Sequence, residues 1–142
     1  MYGRPKFLLF LLRVSMGWIF FYSGLSKILS GNWTAKAYLE NAQTFSNLYA
    51  WFASPANIGW VDFVNQWGQL LIGAALILGV FVRSASFGGI LLMILYYFPV
   101  LDFPAVGEHA FLVDEHVIYA LVLMLLIRFK AGSFYSLRSP FG

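Results

Sequence analysis

Four long apolar runs, separated by more polar breaks, dominate the chain. They extend from about Phe7 to Leu29, Val61 to Val82, Ala85 to Leu101 and Phe111 to Phe129. A helix needs about 20 apolar residues to cross roughly 30 Å of hydrocarbon, so each run is read as a membrane span. Pro99 falls near the outer end of the third run, where a missing N–H costs least. The first run has a basic start and the small residues Ser23, Gly24 and Ser26, as a cleavable leader would. Its apolar stretch is too long for one, however, and no A-x-A site follows. The predicted fold is all-α, an integral membrane four-helix bundle occupying 1–142 as a single domain. No Gly/Ser linker or internal repeat interrupts it.

Only one break is long. The segment from Ser30 to Trp60 holds Trp33, Tyr38, Tyr49, Trp51, Phe52 and Trp60, more aromatics than a solvated loop carries. Amphipathic rings favour the bilayer interface, and Thr34 is placed to cap a short interfacial helix running through Gln43, before Ser54 and Pro55 break it. This aromatic-rich segment between the first two spans is read as a lid over the outer mouth of the bundle. An interfacial anchor without a substrate role is the competing reading.

Charge gives the orientation. All six acidic residues, Glu40, Asp62, Asp102, Glu108, Asp114 and Glu115, fall in or beside the two segments assigned to the outside. Arg4, Lys6, Arg13, Arg83, Arg128, Lys130 and Arg138 fall on the other side, which places both termini and the middle loop in the cytoplasm. With 61% hydrophobic and 11% charged residues the chain is far from a soluble composition. The net charge of +3 is therefore a signature of membrane orientation, and no nucleic-acid partner is inferred from it. Cysteine is absent, which excludes disulfides, thiolate metal sites and a dithiol redox centre. Electron transfer would need a bound cofactor or a partner.

Polar groups at membrane depth supply the candidate chemistry. Arg13 lies roughly 9 Å into the first run, and Lys27 reaches its outer boundary. With Gly17 and Gly24 they share an arc of roughly 80°, small in the middle and cationic at both ends. Two readings remain open for this face: part of a site, or a packing seam in which Arg13 pairs with a carboxylate or backbone carbonyl. The uninterrupted apolar stretch of the fourth run, Val117–Ile127, spans only about 16 Å, so a full crossing must include some of Asp114, Glu115 and His116. Intramembrane ionisable groups are costly and usually face a cavity. Glu115 and Tyr119 at i, i+4, with His116 and Tyr119 at i, i+3, can line one wall. Gln66, Gln69 and Lys27 can offer donors toward it, and Trp33 can close over it. Such a pocket suits a quinone head group or a small oxyanion; interhelical hydrogen-bond glue is the bland alternative.

A metal site is disfavoured. His109 and His116 are seven residues apart with Glu108, Asp114 and Glu115 nearby, but this spacing forms no known ligand motif. No Gly-rich phosphate loop or nucleophile elbow is present.

Taken in order, Arg13-V-S-M-Gly17, F-Y-S-Gly24-L-S-Lys27, L-I-Gly73-A-A-L-I-L-Gly79-V-F-V-Arg83, Asp114-Glu115-His116-V-I-Tyr119 and Gly132-S-F-Tyr135-S-Leu137 resemble the DoxX/DoxD family of small four-span membrane proteins. Arg138 stands where that pattern has an aspartate. The resemblance implies a subunit of a quinone-linked oxidoreductase in a prokaryotic cell membrane. For the DoxD branch this is the small subunit of thiosulfate:quinone oxidoreductase, which couples two thiosulfate ions to tetrathionate as a quinone is reduced.

The expected site then has Glu115 and His116 exchanging protons, Lys27 and Arg13 balancing charge, and Gln66, Gln69, Tyr119 and Trp33 binding the substrate. Quinone is the expected cofactor, none is expected to be covalently bound, and a second membrane subunit or larger respiratory complex is the expected partner. A non-catalytic accessory subunit is the alternative, and a small transporter with Glu115 as proton-coupled carboxylate is a third reading.

Overall fold

The computed structural model describes residues 3–133 and 135–136, so Leu137 and Arg138 lie outside the described residues. The chain is mostly helical. Helix α1 is Gly3–Ser30, followed by the short α2 (Lys36–Glu40) and α3 (Ser46–Ala53), then α4 (Ile58–Leu78) and α5 (Val82–Val100). Strands β1 (Leu101–Asp102) and β2 (Ala105–Val106) form a small antiparallel hairpin before α6 (Glu115–Arg128) and a 3-10 turn at Ala131–Ser133. Among the described residues, three helices are long and apolar enough to cross a membrane: Pro5–Ser30, Ile58–Leu78 and Val82–Val100.

Several boundaries differ from those read in the sequence, each for a local reason. The second run extends by pattern to Val82, but the helix stops at Leu78 because Gly79 takes φ +77°, a left-handed cap that suits glycine. The fourth run is not helical from Phe111. Asp114 has extended backbone, and its Oδ1 accepts from the N–H groups of His116 at 3.0 Å and Val117 at 3.3 Å, so the helix begins at Glu115. The expected interfacial helix from Thr34 to Gln43 shrinks to Lys36–Glu40, with Ala35 at its N-cap. Thr34 Oγ1 still accepts from Lys36 N, at 3.2 Å. Alternation of apolar and polar residues is too short to announce the two-residue strands.

The helices pair as α1 with α4 and α5 with α6, while α1 and α6 meet sparsely. Glycines set the first pairing. A Cβ on Gly24 would stand 2.4 Å from Leu70 N, and one on Gly73 would stand 2.2 Å from Phe21 N, so the two backbones touch where side chains would hold them apart. Met16, Phe20, Leu76, Leu92, Leu123 and Leu126 close the common core. A second, smaller core of Ala35, Leu39, Ala42, Tyr49, Ala53 and Val61 seats α2 and α3 on the outer ends of α4 and α5. There Tyr49 OH donates to Leu95 O at 2.7 Å and Thr44 Oγ1 donates to Leu101 O at 2.7 Å, which ties the outer segment to the bundle.

Candidate functional site

The gap left where α1 and α6 diverge is a cleft of about 600 Å³ under the outer segment. Its volume lies within the roughly 300–1,000 Å³ of small-molecule sites. Lys27, Trp33, Gln69, Glu115, His116 and Tyr119 all line it, so six of the eight residues singled out in the sequence come together.

Lys27 is the centre of the polar end. Its Nζ donates to Gln69 Oε1 at 2.6 Å and lies 4.6 Å from the centre of the Trp33 ring and 5.4 Å from that of Tyr96. Ring faces attract the cation, and the amide oxygen takes one of its three donors. Ser23 Oγ, one turn below on α1, donates to the same oxygen at 3.0 Å. Among the described residues no carboxylate lies within 4.0 Å of Lys27. This half-buried ammonium is cradled by dipoles and π faces, without a counter-ion in direct contact.

Behind Gln69 the network continues into the helix pair. Gln69 Nε2 donates to Tyr96 OH at 3.2 Å, and that hydroxyl donates to Asn65 Oδ1, while Asn65 Nδ2 donates to Val61 O at 2.8 Å. The sequence reading missed both Tyr96 and Asn65. Helical spacing offered a signal, since Asn65 and Gln69 are i, i+4 and share a face. Gln66 is turned away from it: its side chain does not line the cleft, and its carbonyl packs against Gly24.

The opposite wall is the first turn of α6. Asp114 caps the helix with one oxygen, and its Oδ2 lies 2.7 Å from His116 Nδ1. With the carboxylate accepting from Nδ1–H, the imidazole keeps Nε2 as its basic nitrogen. Glu115, expected from the sequence to exchange protons with His116, lines the cleft from an exposed position at its mouth, and the carboxylate in contact with the imidazole is that of Asp114. Tyr96 also faces this wall, its ring centre 6.1 Å from that of His116.

Two further groups hold the outer segment over the cleft. Ala35 N donates to Asp62 Oδ1 at 2.8 Å, and Tyr38 OH donates to the backbone oxygen of Tyr96. Burial pushes the pKa of Tyr38 above the ordinary tyrosine value, with the neighbouring Tyr49 phenol and the Asp114 and Glu115 carboxylates adding to it. The Tyr38 hydroxyl therefore remains a donor at neutral pH.

Arg13 does not join this site. It is 0% exposed, and fourteen residues separate it from Lys27, about 21 Å along α1. Its guanidinium donates to Ala131 O at 2.6 Å and to Tyr135 O at 2.5 Å, and a Cβ on Gly79 would stand 3.1 Å from its Cζ. The buried charge thus binds backbone carbonyls past the end of α6 and clamps the end of the bundle opposite the cleft. His109 lies exposed in the segment after β2, beside Glu108, and does not line the cleft. Among the described residues no three His, Asp or Glu side chains gather where they could hold a metal.

A family model described as DoxX matches residues 8–101, from the second turn of α1 to the end of α5, and stops before the α6 wall. No curated protein and no solved structure matches the chain.

Proposed function

The chain belongs to the DoxX family and is a multi-pass membrane protein, and on that premise we propose that it is the membrane subunit of a quinone-linked oxidoreductase, with the quinone head group bound beside Lys27. In this reading the chain crosses a prokaryotic cell membrane four times, with both termini cytoplasmic. Helix α6 has fourteen residues, about 21 Å, and the non-helical residues 111–114 before it would supply the rest of the fourth crossing. Arg83, Arg128 and Lys130 at one end, with Asp62, Asp114 and Glu115 at the other, support that orientation.

The observation that carries the proposal is the ammonium of Lys27, half-buried with no carboxylate of the described residues in contact, on the same cleft as the His116 ring that Asp114 holds. A desolvated cation favours ligand oxygens that are, or become, negative. Reduction of a quinone takes up two electrons and two protons and yields the quinol. The electrons come from a donor outside this chain, for which thiosulfate is the candidate, two ions giving tetrathionate. Lys27 stabilises charge developing on one head-group oxygen. His116 delivers a proton from a ring held by Asp114, and Glu115 at the mouth resupplies it from the aqueous side. Gln69 positions Lys27, and Tyr119 lines the wall that orients the ring.

Quinone extraction and mass spectrometry on the gently solubilised protein, with co-purifying polypeptides identified, is the test. Stoichiometric quinone is expected, falling about tenfold in Lys27→Met, the loss of one charge-assisted hydrogen bond. No quinone, together with a constant large partner, would replace this reading by that of an accessory subunit.

A further inference from the structure

The cleft is polar at one end and apolar at the other, and its two ends open differently. On α1 its wall is the stripe Ile19, Ser23 and Lys27, spaced i, i+4, i+8, so that methyl groups, a hydroxyl and an ammonium follow one another over about 12 Å. Thr34 and Glu115, at the Lys27 end, are exposed toward the outer side. At the other end Ile19 is 39% exposed on the surface of a membrane-length helix, between Trp18 and Tyr22, which are more exposed still.

Below Ile19 the bundle is shut. Phe20 is 2% exposed and Met93 6%, and Phe20 and Leu123 both close on Gly89. Nothing long can continue inward past this floor. A chain attached to a head group at Lys27 must leave sideways, through the space between α1 and α6 at Ile19, where the outside is lipid.

We infer that the cleft is a lateral portal: its ligand is a lipid-phase amphiphile, a quinone with a long isoprenoid chain, which arrives from the bilayer between α1 and α6 with its chain passing Ile19. The outer mouth at Thr34 and Glu115 is then left for protons and for the water-soluble donor. The inference rests on the quinone reading and adds the route by which the ligand's chain reaches and leaves the site.

The experiment compares two benzoquinones, one with a single isoprenyl unit and one with eight, incubated with purified protein in detergent micelles. Retained quinone is quantified by mass spectrometry against protein-free micelles. Ile19→Trp fills the portal from a lipid-exposed position, and Leu91→Trp, at a position 58% exposed on α5 and away from the cleft, is the control. Ile19→Trp should lower retention of the eight-unit quinone at least tenfold and that of the one-unit quinone less than twofold, and Leu91→Trp should lower neither. Ile19→Ala, which widens the portal, should retain the eight-unit quinone at least as well as the unsubstituted protein. Equal losses of both quinones in Ile19→Trp, or no loss of either, would overturn the portal while leaving the quinone reading in place. Retention of neither quinone by the unsubstituted protein would overturn both.

Discussion

Substitution of Gly24 by alanine tests at once how the bundle is packed and how the site is held. The added methyl would meet Leu70 N at 2.4 Å, Gln66 O at 2.7 Å and Leu70 Cα at 2.9 Å, all backbone atoms of α4. A side chain could turn away; a helix backbone cannot. Since close packing begins near 3.4 Å, α1 and α4 must part by about 1 Å at this level. Overpacking of this kind costs about 1–3 kcal/mol, offset in part by the roughly 0.5–1 kcal/mol that alanine gains over glycine within a helix. Gly68, in the middle of α4, meets only Val64 Cγ1 at 3.9 Å, so Gly68→Ala should keep that gain without the clash. The two variants should differ by about 2 kcal/mol in opposite directions from the unsubstituted protein. Unfolding in mixed micelles of rising SDS fraction, followed by tryptophan fluorescence, measures this. The same parting stretches the 2.6 Å Lys27–Gln69 bond by about 1 Å, beyond hydrogen-bond range, so quinone retention should fall in Gly24→Ala as well. Equal stability of the Gly24→Ala and Gly68→Ala proteins would refute the close approach of α1 and α4.

Three other perturbations separate the roles of neighbouring groups. Asp114→Asn keeps an N-cap of similar strength, so unfolding should shift by less than about 0.5 kcal/mol, while quinone reduction should fall roughly tenfold or more because His116 loses its carboxylate; unchanged turnover would remove the pair from proton transfer. Arg13→Met leaves the carbonyls of Ala131 and Tyr135 without the guanidinium and should cost about 2–4 kcal/mol, with faster tryptic cleavage at Lys130; an equally protected site would show that the clamp is dispensable. The raised pKa of Tyr38 means that, above the ordinary tyrosine value of about 10, the folded protein keeps a proton that the unfolded chain has released. Stability should therefore be undiminished by this group below about pH 10 and fall as pH rises beyond it, and Tyr38→Phe should flatten that part of the profile. Tyr49, raised by burial, contributes in the same direction and remains in that variant.

Much of this protein was legible in its residues because the constraint is imposed from outside the chain. A bilayer demands about 20 apolar residues per crossing and penalises every buried charge, so the long runs at α1, α4 and α5, the glycines at 17, 24 and 73, and the exceptional Lys27, Glu115 and His116 stand out one by one. Capping was less legible. Asp114 reads as one more acidic residue until its two oxygens are seen to serve different donors, one to start α6 and one to hold His116.

What the sequence could not decide is which faces meet. Arg13 and Lys27 share an arc of α1, and a one-dimensional reading gives them one role, yet burial separates them: one sits among backbone carbonyls at one end of the bundle, the other among rings and an amide at the opposite end. Tyr96 and Asn65 looked like ordinary helix residues, and only the contact of α4 with α5 makes them the support of Gln69 and hence of Lys27. The cleft itself belongs to no segment. It exists because glycine contacts draw α1 onto α4 while α5 draws α6 away, and a gap between two helices is a property of their packing angles, which periodicity along either chain does not encode.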